Sequence, residues 1–379
     1  MVTALSAVGS VTWFVAPRNR YDDGGSLAIP DHLASRVTGV LCCAPTRTRL
    51  ATAARWRCSQ LPWPLAAGDW SRAEAELGRR APRADLLWVM GIDALRAAKR
   101  AGVQAAATVV DMDLESLKLA RMLAIDPPAN PIRRWIARVD VDRWRRLERQ
   151  AVGSGAVVSL CSSAERDAFG APAWVVDNSY PDPGPPPVTG LGDGPPTLVL
   201  VGSFAYQPNN DGLAWLLEGV WPTIRAAKPE AELRLVGRGL AADHPARSTP
   251  GVTVLDHVAD VTPELRRATV AVVPVLWGAG TRVKIIEAFA HHVPVVSTTV
   301  GAEGLAVEPG RHLLIADTPR QFAAACLSAL ADPPTASRLA DAGYGLFRQR
   351  YEEGVVIHGL TELVRELLAE RRRQPGEQG

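Results

Sequence analysis

Short apolar runs rich in Val, Leu and Ile alternate along this chain with segments whose apolar residues recur every three or four positions. In the first half, VTWFVA (11–16), VLCC (40–43), DLLWVM (85–90), AATVVD (106–111) and AVVSLC (156–161) read as strands, with helical spacing around 26–37 and 92–101. In the second half the strands are TLVLVG (197–202), AELRLVG (231–237), VTVLDH (252–257), VAVVP (270–274) and VPVVST (293–298). Helical patterns there cover about 210–227, 262–268, 282–291, 319–331 and 354–373. Strand–helix alternation in both halves predicts α/β architecture with two doubly wound parallel sheets. Between the halves, Tyr180 to Pro196 holds seven prolines and four glycines, a composition that fits neither a helix nor a central strand. The expected organisation is a first domain over 1–180, a semi-rigid linker over 181–196, a second domain over 197–353, and a helix with a frayed tail over 354–379.

Composition changes little in this picture but closes off other readings. At 379 residues, two cores are the expectation. A formal net charge of +2 gives no general case for nucleic acid. The five cysteines (Cys42, Cys43, Cys58, Cys161, Cys326) form no C-x-x-C pair, and most read as small core residues in a reducing compartment. The apolar amino terminus has no basic residue before Arg18, so a first core strand is expected there rather than a secretory signal. No uninterrupted apolar run is long enough to span a bilayer, and a cytoplasmic protein is expected.

The chemistry concentrates in GAGTRVKIIEAFAHHVPVVST, Gly278 to Thr298. A glycine turn follows a strand, Thr281 is placed as N-cap, and a helix is expected from about Arg282. Val283, Ile286, Ala290 and Val293 form the expected buried face, while Lys284, Glu287 and His291 recur at the same spacing on another. A helix start offers unpaired N–H groups to an anion, and glycines let the backbone approach a phosphate. Arg282 and Lys284 add cationic donors, and Glu287 would accept hydrogen bonds from two neighbouring sugar hydroxyls. A diphosphate joined to a ribose has those properties.

This stretch resembles the donor-binding segment of glycosyltransferase family 4, whose fold is called GT-B. VGSFAYQPNNDGLAWLLEGVWPTI (201–224), LRLVGRG (233–239) and GRHLLIADTPRQFAAACLSALADP resemble neighbouring elements of that lobe. PRNRYDDGGSLAIPDHLASRV (17–37) and VVDMDLESLKLAR (109–121) resemble parts of the amino lobe. The resemblance implies two Rossmann-like domains facing a central cleft, and retaining transfer of a sugar from a nucleoside-diphosphate sugar, UDP- or GDP-linked, to a carbohydrate, lipid-linked or small-molecule acceptor. It implies no permanently bound cofactor and no required metal. Glu287 matches the second Glu of the family's Glu-x7-Glu motif, on the nucleoside ribose; Gly280, Thr281 and Arg282 match the loop facing diphosphate and sugar. The final helix is expected to cross back to the amino lobe, as in relatives. Two departures stand out. Ala279 occupies the place of the first Glu, and GSFAYQPNNDG lacks the Arg and Lys that many relatives carry, leaving Arg282 and Lys284 as the expected catalytic cations. Ala279 keeps open a non-catalytic nucleotide-sugar-binding homologue, and the fold also admits a nucleotide-sugar epimerase.

Other candidates are weaker. Gly202, closing the first strand of the second half, with Arg238 and His257 at later strand ends, would border the donor. Gly24 and Gly25 would approach phosphate or acceptor, or simply form a turn. Asp111 and Asp113 imitate a D-x-D metal pair but, with Glu115, read better as binders of acceptor hydroxyls or an amine. The Arg- and Trp-rich segment 130–152 reads as a surface helix packed on its own lobe; peripheral contact with the inner membrane face is the alternative. No Ser-His-Asp order, zinc spacing or P-loop is visible.

Overall fold

In a computed structural model of the protein, residues 1–15, 37–41, 47–184, 194–256 and 258–373 are described. The expected helix around 26–37, the Cys42–Cys43 pair and positions 185–193 of the Pro/Gly stretch lie outside them. The chain divides into two compact units, Met1–Val176 with the segment from Ile357 onward, and Asp177–Val356.

Unit 1 contains β1 (Val11–Val15) and β2 (Val37–Leu41), which pair in parallel with each other. A separate four-stranded parallel sheet has the order β3-β4-β5-β6, from β3 (Arg83–Met90), β4 (Gln104–Asp111), β5 (Val157–Leu160) and β6 (Trp174–Val175). Its helices are α1 (Val2–Ser6), α2 (Arg49–Ser59), α3 (Trp63–Ala67), α4 (Ser71–Arg80), α5 (Ile92–Arg100), α6 (Glu115–Ile125), α7 (Pro131–Val152) and α8 (Ser163–Phe169). Successive strand residues point to opposite faces, and both faces are covered. Val89, Val110, Val158 and Leu160 pack with Leu95 of α5, Trp144 and Leu147 of α7 and Trp56 of α2. Ala107 and Val109 face the other way and meet Leu367, which belongs to the last helix.

The length of α7 is set at both ends. Asn130 caps it, accepting from the N–H groups of Ile132 and Arg133, and Pro131 opens its first turn. Asp140 is buried and accepts from Trp56 Nε1 and Trp63 N, both at 2.7 Å. Glu148 is likewise buried on Ser116. These two carboxylates therefore hold α2, α3 and α6 in place.

Unit 2 is one six-stranded sheet, all parallel, in the order β12-β11-β10-β7-β8-β9. Its strands are β7 (Thr197–Val201), β8 (Glu232–Val236), β9 (Val252–Leu255), β10 (Val270–Val273), β11 (Val295–Ser297) and β12 (Leu314–Ile315). Its helices are α9 (Gln207–Trp215), α10 (Trp221–Ala227), α11 (Thr262–Arg267), α12 (Val283–Ala290), α13 (Thr299–Ala302), α14 (Pro319–Ala331) and α15 (Pro333–Leu346); a π-turn at Leu216–Val220 joins α9 to α10. Leu198, Leu200, Leu233, Leu235 and Val272 meet Leu213, Ile224 and Phe322 on one face. Val199, Val236, Ala271 and Val273 meet Ile285, Ile286, Phe289 and Tyr351 on the other.

The last helix, α16 (Glu353–Arg373), begins in unit 2 and continues into unit 1, where Leu360 and Val364 pack with Ala4. Among the described residues no helix is long and apolar enough to cross a membrane. Each unit is thus a parallel α/β fold of Rossmann-like build.

Candidate functional site

The strand order of unit 2 runs outward from β7 through β8 to β9 on one side and from β10 to β12 on the other. Direction reverses between β7 and β10, and open α/β sheets bind ligands beyond the carboxyl ends of their strands at such a point. The two loops that leave β7 and β10 are built on glycine. A Cβ on Gly202 would lie 2.9 Å from Asn209 Nδ2 and 3.1 Å from Lys284 Nζ. Gly237, at φ 144°, would place one 1.9 Å from the Gly202 carbonyl oxygen, so the ends of β7 and β8 meet backbone to backbone. Arg238, exposed beyond β8, accepts at its carbonyl from Phe204 N at 2.7 Å.

Half-buried Lys284 lies in the first turn of α12, and its Nζ donates to Asn209 Oδ1 at 2.7 Å. Burial holds its ammonium down to about 8, with the charge of Arg282 adding and that of Glu287 opposing. The loop from β10 packs on α9. Trp277 Nε1 donates to Asp211 Oδ2 at 2.8 Å, and Asp211 also accepts from Gln207. Gly212 would set a Cβ 2.1 Å from the Pro274 carbonyl oxygen.

The start of α12 differs from the expected one by a residue. Arg282, not Thr281, is the N-cap, and it makes no side-chain cap bond. Its buried guanidinium turns back into the glycine turn instead, Nη1 donating to the carbonyls of Ala279 (2.6 Å) and Gly280 (2.9 Å). Gly278, at φ 137°, makes room for it; a Cβ there would lie 2.7 Å from Nη2. Thr281 Oγ1 accepts from Asn178 Nδ2. The buried face of α12 also shifts: Ile285, Ile286, Ala288, Phe289 and Ala290 are buried, while Val283 is 40% exposed.

Glu287 sits one turn beyond Lys284. Burial pushes its carboxyl up, while a hydrogen bond from the Tyr180 hydroxyl and the Lys284 charge act against that. His291 is buried and structural, with Nδ1 on the Glu287 carbonyl (2.8 Å) and Nε2 on Thr262 Oγ1 (3.2 Å). His292 follows at φ 57°, in the left-handed position usually given to glycine. Its N–H bonds Phe289 O, the next N–H bonds Ala288 O, and its ring stacks on Tyr344 at 3.7 Å. Glycine turn, helix start, ammonium and carboxylate are thus gathered at the switch point. That set can hold an anion with a vicinal diol close by.

Unit 1 has a separate polar group beyond β4 and β5. Asp111 ends β4 beside Ser159 of β5. Burial, helped by the charges of Asp113 and Glu165, pushes the Asp111 carboxyl up to about 6. Donor atoms of Asp113, Cys161 and Glu165 lie within 4.8 Å of one another, and Cys161 Sγ donates to Glu165 Oε2 at 2.8 Å. Glu115 does not complete this group; it starts α6, with Lys118 Nζ at 3.9 Å. Gly24, Gly25 and His257 lie outside the described residues.

Asn209, Asp211, Trp277, Asn178 and Tyr180 were not singled out in the sequence, nor were Cys161 and Glu165 as site residues. One signal pointed to Asn209: Pro208 marks a helix opening right after a strand–glycine turn, which puts the next side chain at a switch point. The others are brought in by tertiary contacts.

Residues 195–332 match the family model described as glycosyl transferases group 1. Among curated proteins, the chain is 29% identical over 136 residues to an "uncharacterized 44.6 kDa protein in cps region" of Klebsiella pneumoniae, covering 33% of this chain and 35% of that one. Among solved structures it resembles sucrose-phosphate synthase of Thermosynechococcus elongatus, with TM-score 0.69, 18% identity, and 97% and 91% of the two chains covered. The HepE protein of Anabaena, solved with UDP-glucose, gives TM-score 0.63 at 14% identity over 94% and 99%. TarM, known from S. aureus, gives 0.64 at 10% identity, and there the match covers 80% of this chain but 58% of that one. The match thus spans about a third of the curated relative and under two thirds of TarM. The family-model match falls within unit 2, and the chain has the GT-B fold of two Rossmann-like units.

Proposed function

We propose that this protein is an enzyme that transfers a sugar, with retention, from a nucleoside-diphosphate sugar to a carbohydrate acceptor. The observation that carries the reading is the placement of Lys284, the glycine turn before Arg282 and the start of α12 at the switch point of unit 2, with Glu287 a turn further on. In this scheme Gly202, Gly280, Thr281, Arg282 and Lys284 surround the diphosphate, Glu287 holds the ribose, and Arg238 borders the nucleoside. The leaving β-phosphate takes the acceptor's proton as positive charge builds on the anomeric carbon. The cations stabilise the departing diphosphate. With two cations at the turn, no metal is required and no cofactor is bound permanently. Asp111 and Asp113 in unit 1 serve the acceptor. A UDP-linked donor is favoured over a GDP-linked one, since HepE was solved with UDP-glucose. The enzyme works in the cytoplasm, and Ile132 and Trp135, 67% and 56% exposed among the arginines of α7, support contact with an anionic membrane face and so a lipid-linked acceptor.

The test is thermal stabilisation by UDP, GDP, ADP and dTDP, with and without EDTA, followed by product analysis with the matching sugar donors. Selective stabilisation by one diphosphate, insensitive to EDTA and lost in Glu287→Ala, supports the reading; no stabilisation by any of them ends it. Ala279, where relatives carry a Glu, favours a second reading, a homologue that binds nucleotide sugar without turnover. Binding with neither transfer nor hydrolysis would mark it, and donor conversion without acceptor would mark an epimerase.

A further inference from the structure

We propose that Asn209 is the positioning residue for the diphosphate-binding lysine: it fixes the Lys284 ammonium at the carboxyl end of β7 without cancelling its charge. This rests on the donor-site reading above and adds to it a residue outside the α12 motif.

The geometry is a three-point clamp. Asn209 stands in the first turn of α9, and its Nδ2 donates to the Ser203 carbonyl at 2.8 Å. Its Oδ1 accepts from Lys284 Nζ at 2.7 Å. The two bonds fix each other, because the flipped amide would turn its NH2 group towards the ammonium and its oxygen towards a carbonyl. Gly202 completes the clamp; with Asn209 Nδ2 and Lys284 Nζ within about 3 Å of where its Cβ would stand, a side chain there would push the pair out of place. The lysine is thereby tied to the end of β7 from 75 residues away.

Neutrality is the second part of the inference. Around the ammonium, Arg282 opposes its charge and Glu287 supports it. From α9 the nearest charged group is Asp211, already engaged by Trp277 and Gln207. Tyr180 reaches Glu287 rather than the lysine. An amide at position 209 therefore orients the ammonium and leaves its positive charge for a ligand, where a carboxylate would take it up.

The chain has four lysines, Lys99, Lys118, Lys228 and Lys284, so lysine-labelled NMR can follow Lys284 by itself. The experiment uses the full-length parent, Asn209→Asp and Asn209→Ala, measuring the Lys284 titration beside the affinity for UDP and GDP between pH 6.5 and 9.5. In Asn209→Asp the titration moves to higher pH, and diphosphate affinity at neutral pH falls roughly tenfold as the carboxylate offsets the ammonium. In Asn209→Ala the titration moves lower and affinity falls by a similar factor, while uridine and guanosine bind as to the parent. An unmoved titration in both variants overturns the clamp. A moved titration with parent-like diphosphate affinity overturns its role at the donor. If the parent itself binds neither diphosphate while its lysine still follows position 209, the donor-site reading is what has failed.

Discussion

The surroundings of Lys284 and Asp111 each move an ionisation towards the working range of pH. Lys284 is charged below about 8. If it binds diphosphate, affinity stays level below that value and declines as pH rises through it; calorimetric titration of UDP or GDP should show that limb, and Lys284→Met should abolish it. Asp111 works in the opposite sense for stability. Its folded-state pKa of about 6 lies above its ordinary value, so the fold holds an extra proton between the two, and stability is lost as pH rises through that window. Asp111→Asn should raise the melting temperature at pH 8 and leave it unchanged at pH 4. Arg282→Ala should lower turnover about a hundredfold, as loss of one preorganised donor does. A melting temperature that falls in step with the rate would assign Arg282 to the loop alone. Lys284 and Glu287 were legible in the sequence because helical spacing places them on one face. The inward turn of Arg282 was not, because it depends on the room left by Gly278, and Asn209 was not, because its partner lies in another element.

The longer strands of unit 2 and its helices at about 210–227, 262–268, 282–291 and 319–331 were read from the sequence to within a few residues, since buried parallel strands are continuous apolar runs and their helices are amphipathic. Helices α13 and α15 were not read. The two-residue strands β6 and β12 escaped because so short a run has no periodicity. The Thr281 cap was misplaced because its hydroxyl accepts from Asn178 in a distant segment, a demand that helix-start rules do not contain. Contacts between elements set further expectations. Gly212→Ala would drive a methyl into the Pro274 carbonyl and separate α9 from the loop before α12, at a cost on the order of 1–3 kcal/mol. Chemical denaturation measures that cost, and nucleotide binding should weaken with it. For α7, sedimentation with anionic vesicles should exceed that with neutral ones and fall in Ile132→Ser; equal sedimentation with both would leave α7 a surface helix packed on its own unit.

The two-unit organisation was legible because strand–helix alternation occurs twice around a Pro/Gly-rich stretch. The unit boundary lies elsewhere than the composition suggested: unit 2 begins at Asp177, before that stretch, where Asp177 pairs with Arg350 and the Tyr180 N–H bonds Tyr351 O. These contacts tie together the two places where the chain passes between units. All candidate donor residues in the described chain lie in unit 2, so residues 177–356 expressed alone should keep the full chain's affinity for a nucleoside diphosphate. A chain ending at Val356 should lose the unfolding transition of unit 1 in calorimetry, because Leu360, Val364 and Leu367 are all buried there.

That last helix also imposes an order on synthesis. Translation proceeds from the amino end and domains fold as units while it does. Unit 2 has every residue it needs once Val356 has left the ribosome, whereas unit 1, begun first, still lacks the helix that covers Ala107 and Val109. Unit 2 can therefore be assembled while the earlier-made unit 1 still exposes an apolar sheet face.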